Sequence, residues 1–393
     1  MSRFFWTFFI ILCLSASAYL LFDIIKPAKT ELAPFAPSPE VRVQLKSNTS
    51  QVHFSFQDHL VEIWLPEADR PYQWKGDAIT ISRESGEFKF SNSAYPIERL
   101  DLIPKGGRFE YNDGTYPGNL RLISSGDDSM QVINIVELEP YVARVVDGEM
   151  YSHWPLETLK AQAIAARTFA LYQKKWRQRK EFDLYASSRS QAYSDENTSY
   201  RSRQATLDTQ GVFLSLNGRL FLSYYLNTCG GKTFPFKFGS SKSSGVNCGH
   251  CNESPFYQWQ VSISLNDLNS ALQKHISAAK IKTLRTALDQ NGKTSKVIII
   301  TAKNKEFKLD ALSFRRSLNQ FFQREKIKSL VFAISQNKEN IIIDGKGWGY
   351  HGYGLCQYGA KAMGEKFYSC LDIISTYYPE ATLTRLPPIS PGS

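Results

Sequence analysis

Between residues 41 and 136 apolar and polar residues alternate in short runs, VRVQL, VHFSF, VEIWL, AITIS, EFKFS, NLRLI and MQVINIV, separated by Gly, Asn, Asp and Pro. A period of two is the mark of a strand with one buried face, so this stretch predicts a β-rich module. Beyond it the pattern is mixed. Helical spacing predicts helices over 155–175, 266–279 and 311–323, and apolar runs predict strands over 211–216, 221–227, 296–302 and 341–343. Strands and helices that segregate without regular alternation predict an α+β fold.

The segment DGEMYSHWPLETLKAQAIAARTFALY, residues 147–172, carries the strongest candidate chemistry. Pro140 can open a short helix and Gly148 can end one, which puts Glu149 at its exit; Pro155 then restarts a helix at its first position. Residues 149–154 read as a connecting loop, with Met150, Tyr151, His153 and Trp154 beside the carboxylate. Apolar surroundings disfavour the charged form and raise the pKa, as a proton donor near neutral pH requires. On the following helix Leu156, Leu159, Ala163, Ala166 and Ala170 form one stripe, and Arg167 falls inside it, about 20° from Leu156. A guanidinium there needs carboxylate or carbonyl partners, so Arg167 should brace the Glu149 loop or pin a strand end.

An uncharged run over residues 4–22 follows Arg3 and reads as a signal peptide or membrane anchor within residues 1–25; Ala16-Ser17-Ala18 offers a cleavage site. Residues 26–40, KPAKTELAPFAPSPE when counted from Lys26, read as a Pro-rich tether. The folded part is then exported, on the periplasmic or cell-wall side. A formal net charge of +10 suits a polyanionic partner, and export argues against nucleic acid as that partner. The densest basic run, KKWRQRK at 174–180, reads as a solvated helix end, with a wall-contact patch as the sharper alternative.

Two further patterns bear on chemistry. Cys229 lies in TCGG and Cys248 and Cys251 in CGHC, a spacing that can grip a structural zinc, with His250 or Cys356 as a further ligand. Disulfides are the alternative in an exported chain, Cys229 with Cys248 or Cys251 and Cys356 with Cys370. Residues 347–352 fit GxGxxG literally, but Trp348, Tyr350 and His351 fill positions that a dinucleotide loop needs small. The loop instead displays His351, Tyr353 and Gln357.

GEM followed by WPLETLKAQAIAARTFAL resembles the signature of the SpoIID/LytB family of peptidoglycan-active proteins. YPGNLRLI and INIVELEPYVARVV upstream, then SQAYSDEN, YYLNTCGGKT, SPFYQW and GKGWGYHGYGLCQYGAKAMGEKFYSCLDIISTYYPEATL, follow in the family's order. The resemblance implies a core over 137–383, with the 41–136 module packed against it and 384–393 as a tail. It implies lytic cleavage of peptidoglycan glycan strands between N-acetylmuramic acid and N-acetylglucosamine, with Glu149 as single acid/base and no cofactor required for catalysis. Arg167, Tyr193, His351 and Gln357 would bind the sugar. A cell-wall amidase is an implied partner, and stripped strands an implied substrate. Asn227 stands where many relatives have Ser, and Cys356 where a Ser is common, which puts substrate choice in doubt. A non-catalytic wall-binding protein or amidase activator is the alternative; a metal-dependent hydrolase is disfavoured because no HExxH pair is present.

Overall fold

The computed structural model describes residues 36–193, 198–238, 241–277, 279–337 and 340–387. The apolar run at 4–22, most of the tether, Ser194 to Asn197 of the SQAYSDEN motif and the end of the tail lie outside the described residues. Among the described residues no helix is long and apolar enough to cross a membrane.

The alternating runs pair antiparallel within two sheets, and with the helices they make an α+β chain. The larger has the strand order Leu184–Tyr185, Glu40–Thr49, Ser129–Glu137, Asn119–Gly126, Arg99–Pro104, Leu60–Trp64, Tyr72–Lys75. The smaller is built around Gln51–Ser55 and Ala78–Glu84. The first strand feeds both: after bulges between Gln44 and Thr49 the chain turns at Asn48, φ 52°, and continues into the second sheet. Val41, Val43, Val52, Phe54, Leu120, Leu122 and Val132 point inward from the two sheets into one hydrophobic core. Two connections tie this module to the rest of the chain. Leu184–Tyr185 pairs in parallel with Val43 and Gln44, and Ser129–Glu137 runs without a break into helix α1, Leu138–Glu149.

Helix α2, Leu156–Trp176, is the centre of the fold. The wheel predicts one apolar stripe, yet nearly every residue from Thr158 to Tyr172 is buried. Its alanines let neighbours close in on all sides: α1, α3 (Tyr200–Asp208), the strand Val212–Ser215, and two later helices. That strand pairs with Thr382–Arg385, so ordered pairing continues two residues past the expected tail boundary. Trp259 to Ile343 build a second core of their own, with strands Gln258–Ser264 and Asn340–Lys346, helix α4 (Leu265–Leu272) and helix α5 (Ala311–Phe321). The chain returns from this satellite into the loop 347–354, the short strand Leu355–Cys356, helix α6 (Gln357–Glu365) and helix α7 (Cys370–Tyr377).

Candidate active site

Glu149 is the last residue of α1 rather than part of the loop after it, because the helix continues through Gly148 and ends at Met150. Gly148 has another purpose. A Cβ there would come within 2.7 Å of the Ala192 carbonyl, so glycine lets the 188–193 segment lie against the helix end. That approach delivers the Ala192 N–H to Glu149 Oε1 at 2.6 Å. The Tyr225 hydroxyl donates to the same oxygen at 3.1 Å. Tyr225 in turn accepts from the Gln191 amide nitrogen at 3.1 Å, and Tyr141 donates to the Gln191 amide oxygen at 3.0 Å. This relay fixes Oε1.

The carboxyl opens into a cavity of about 490 Å3 lined among others by Phe169, Arg189, Tyr224, Asn227, His351 and Gln357. Burial raises the Glu149 pKa above the ordinary 4.5, and the bonds from Ala192 and Tyr225, with the Gln357 amide close by but outside hydrogen-bond geometry, pull it only part of the way back. The apolar surroundings do not come from the expected residues. Met150 and Trp154 are buried away from the cavity, Trp154 against Tyr358, and Tyr151 is 62% exposed. A larger cavity, about 760 Å3, lies in the satellite beside Trp259 and Phe332 and shares no lining residue with this one.

Two of the four expected sugar-binding residues line the cavity and two do not. Gln357 is buried with its amide nitrogen unpartnered among the described residues. An orphaned donor facing a cavity is what a hydroxyl or N-acetyl oxygen can satisfy. His351 stacks on Tyr353 at 5.5 Å and accepts the Tyr353 N–H at 3.0 Å on Nδ1. Burial, with the Lys293 ammonium beside it, lowers its pKa to about 4, so it is neutral near pH 7.

Arg167 requires a correction: it is wholly buried, and both terminal arms are occupied. It makes a bidentate pair with Glu139, 2.9 Å from Nε and 2.6 Å from Nη2, and Nη1 donates to the Val212 carbonyl at 2.9 Å. It pins the strand Val212–Ser215 and cannot touch a sugar. Tyr193 is corrected as well, since its ring stacks on Tyr141 at 5.1 Å and its hydroxyl donates inward to Asn134 at 2.9 Å. Its neighbours Gln191 and Ala192, together with Tyr225, serve a different purpose and hold the Glu149 carboxyl.

Beside the cavity the Sγ atoms of Cys229, Cys248, Cys251 and Cys356 all lie within 4.8 Å of one another, with Cys229 and Cys251 3.5 Å apart. Tetrahedral zinc with bonds near 2.3 Å would space sulfurs at about 3.8 Å, so the donor set and its dimensions fit that ion. Cys356 is the fourth member, and His250 packs instead near Tyr368. The alternative pairing of Cys356 with Cys370 does not match this arrangement, because Cys370 sits outside the cluster at the start of α7, its N–H on Glu157. Thiol hydrogen bonds from the neighbours push Cys248 and Cys251 toward thiolate, while Cys229 and Cys356 are pushed up. Leu355–Cys356 pairs in parallel with Tyr225–Leu226, so the cluster is one residue from Gln357 and four from Tyr225. The strand approach depends on Gly354, φ 74°, where a Cβ would lie 1.7 Å from the Tyr224 carbonyl.

The model of the Stage II sporulation protein family, SpoIID, matches residues 126–215, which include Glu149, Gln191 and Ala192. An uncharacterized protein of Brachyspira hyodysenteriae is 31% identical over 324 residues, covering 79% of this chain and 85% of its own. The amidase enhancer of Bacillus subtilis is 26% identical over 61% of this chain and 40% of its own length. Stage II sporulation protein D of Bacillus amyloliquefaciens is 28% identical over 62% of this chain and 73% of its own. With the motifs in order and the family's segment wrapped around Glu149, this chain belongs to the SpoIID family.

Proposed function

We propose that this protein is an exported peptidoglycan lytic transglycosylase that cleaves glycan strands between N-acetylmuramic acid and N-acetylglucosamine. The observation that carries the reading is a buried carboxyl with a raised pKa on the wall of a cavity, one oxygen held by Ala192 and Tyr225. Glu149 in its protonated form gives its proton to the glycosidic oxygen as the C1–O bond breaks and N-acetylglucosamine leaves through its O4 hydroxyl. The C6 hydroxyl of the same muramic acid attacks C1, and the Glu149 carboxylate takes that hydroxyl's proton. The product is a 1,6-anhydro end, and the acid is restored. No second carboxylate is needed, unlike a hydrolase that must also activate water. Gln357 gives an amide donor to the sugar, and neutral His351 holds the Tyr353 backbone and closes the cavity wall.

Zinc held by Cys229, Cys248, Cys251 and Cys356 would supply structure rather than reactivity, by holding the strand bearing Tyr225 beside the helix bearing Gln357. The name of the amidase enhancer relative favours a second reading, stimulation of a cell-wall amidase without glycan cleavage. Soluble fragments released from sacculi, with and without prior amidase digestion, separate the two. The first reading expects release by the protein alone, greatest on stripped strands and lost in Glu149→Gln. Equal amidase stimulation by both forms, with no release by either alone, would support the second.

A further inference from the structure

The basic run at 174–180 takes no part in the cleft. Lys174 is engaged by the Glu40 carbonyl at 2.7 Å, and Arg177 by the Phe182 carbonyl at 3.1 Å and the Phe182 ring. Lys175, Arg179 and Lys180 are exposed. With Tyr172, Trp176 and Arg219 they line an open cavity of about 780 Å3 whose lining contains no carboxylate. Trp176 is 74% exposed and stacks on Tyr172, 6.2 Å between centroids at 19°. The helix dipole accounts for cations in the last turn, Lys174 and Lys175, but Arg179 and Lys180 lie past the helix cap at Arg177. Nor does the dipole account for a large ring held flat against a tyrosine and open to solvent. A tryptophan flanked by lysine and arginine matches the boundary between headgroups and water.

Position supplies the second observation. Glu40 opens the first strand, and its carbonyl is the one Lys174 grips, so the chain enters the fold beside this patch. The residues before it are the Pro-rich tether at 26–40 and the apolar run at 4–22. A tether of that length, extended at about 3.1 Å per residue, spans roughly 45 Å, and a patch at its end would shorten that leash by binding the same surface.

We propose that Lys175, Trp176, Arg179 and Lys180 form a site for anionic phospholipid headgroups of the membrane in which the apolar run is seated. The inference rests on that seating and not on glycan cleavage.

The test uses the full chain in vesicles of phosphatidylcholine, alone or with phosphatidylglycerol, and a membrane-impermeant amine-acylating reagent read peptide by peptide. Phosphatidylglycerol should slow labelling of Lys175 and Lys180 about fivefold, leave Lys308 on the satellite unchanged, and lose its effect in high salt. Trp176→Ala and Arg179→Glu should weaken the protection while soluble glycan is cut at the wild-type rate. Equal labelling in the two vesicle sets would overturn the proposal, as would a chain that does not stay with the vesicles. Protection seen only when an anionic wall polymer is added to neutral vesicles would overturn it too, and would make the patch a polymer site.

Discussion

Glu149 differs from the chain's other acids in how it is held. Asp147, two residues away, spends its oxygens on Ser199, the cap of α3, and on Ser202, and Glu157 accepts from Lys160 and the Cys370 N–H. Among the described residues that line the cavity, Glu149 carries the buried carboxyl, while Glu325 is exposed and paired with Arg315. Glu149→Gln should fold, bind glycan and lose roughly a thousandfold in cleavage, the scale of a general acid. A raised carboxyl pKa contributes stability only in acid and loses it as pH rises through the folded value. Glu149→Gln should therefore melt higher than wild type at pH 7.5, with the gap closing near pH 4; a constant gap would mean the carboxyl is not desolvated. Tyr225→Phe removes a bond that lowers the Glu149 pKa, so the alkaline limb of the pH–rate profile should move to higher pH. A limb that moves down would place Tyr225 outside the acid's shell. Glu149 was readable from sequence because a GEM turn and Pro155 frame it in a short stretch. Tyr225 and Gln191 were not, since a hydroxyl and an amide give no periodic signal and meet Glu149 only through tertiary pairing.

At the level of elements, α1 and α2 are joined by charge inside the core. The sequence places Arg167 on a buried stripe and so demands a partner, but Glu139 is hidden in the first turn of α1, where an acid also suits the helix dipole. Arg167→Ala leaves Glu139 buried and unpaired and should cost about 3 to 5 kcal/mol, read from denaturant unfolding. A loss under about 1 kcal/mol, the range of exposed ion pairs, would contradict the buried pairing. Helix α2 itself was located within a residue at each end from Pro155 and the apolar spacing. That it is buried on all sides was not foreseeable, because alanine fits a one-sided stripe and a central helix equally well. The aromatic loop after Glu149 misled for a related reason: nearness in sequence does not say which way a side chain turns, and Met150 and Trp154 turn into the core.

Across the whole molecule, the cysteines link segments that the sequence keeps far apart. Cys356 lies more than a hundred residues from the CGHC turn, and the satellite with its own core is inserted between them. The sequence grouped Cys229 with the CGHC pair and offered His250 or Cys356 as the further ligand, and the return of the chain along Tyr225–Leu226 brings Cys356 in rather than His250. Purified protein should carry about one zinc per chain, and Cys248→Ser should release it and lower the melting temperature while some cleavage persists. Metal-free wild type with freely alkylated thiols would remove the zinc from this account. The central claim is a reaction in which the sugar, and not water, attacks, and it is tested by digesting stripped glycan strands in 18O-enriched water and weighing the new ends. The account predicts 1,6-anhydro-muramic ends, one water lighter than reducing ends and free of 18O, absent with Glu149→Gln. New reducing ends carrying 18O would contradict it and make the protein a hydrolase.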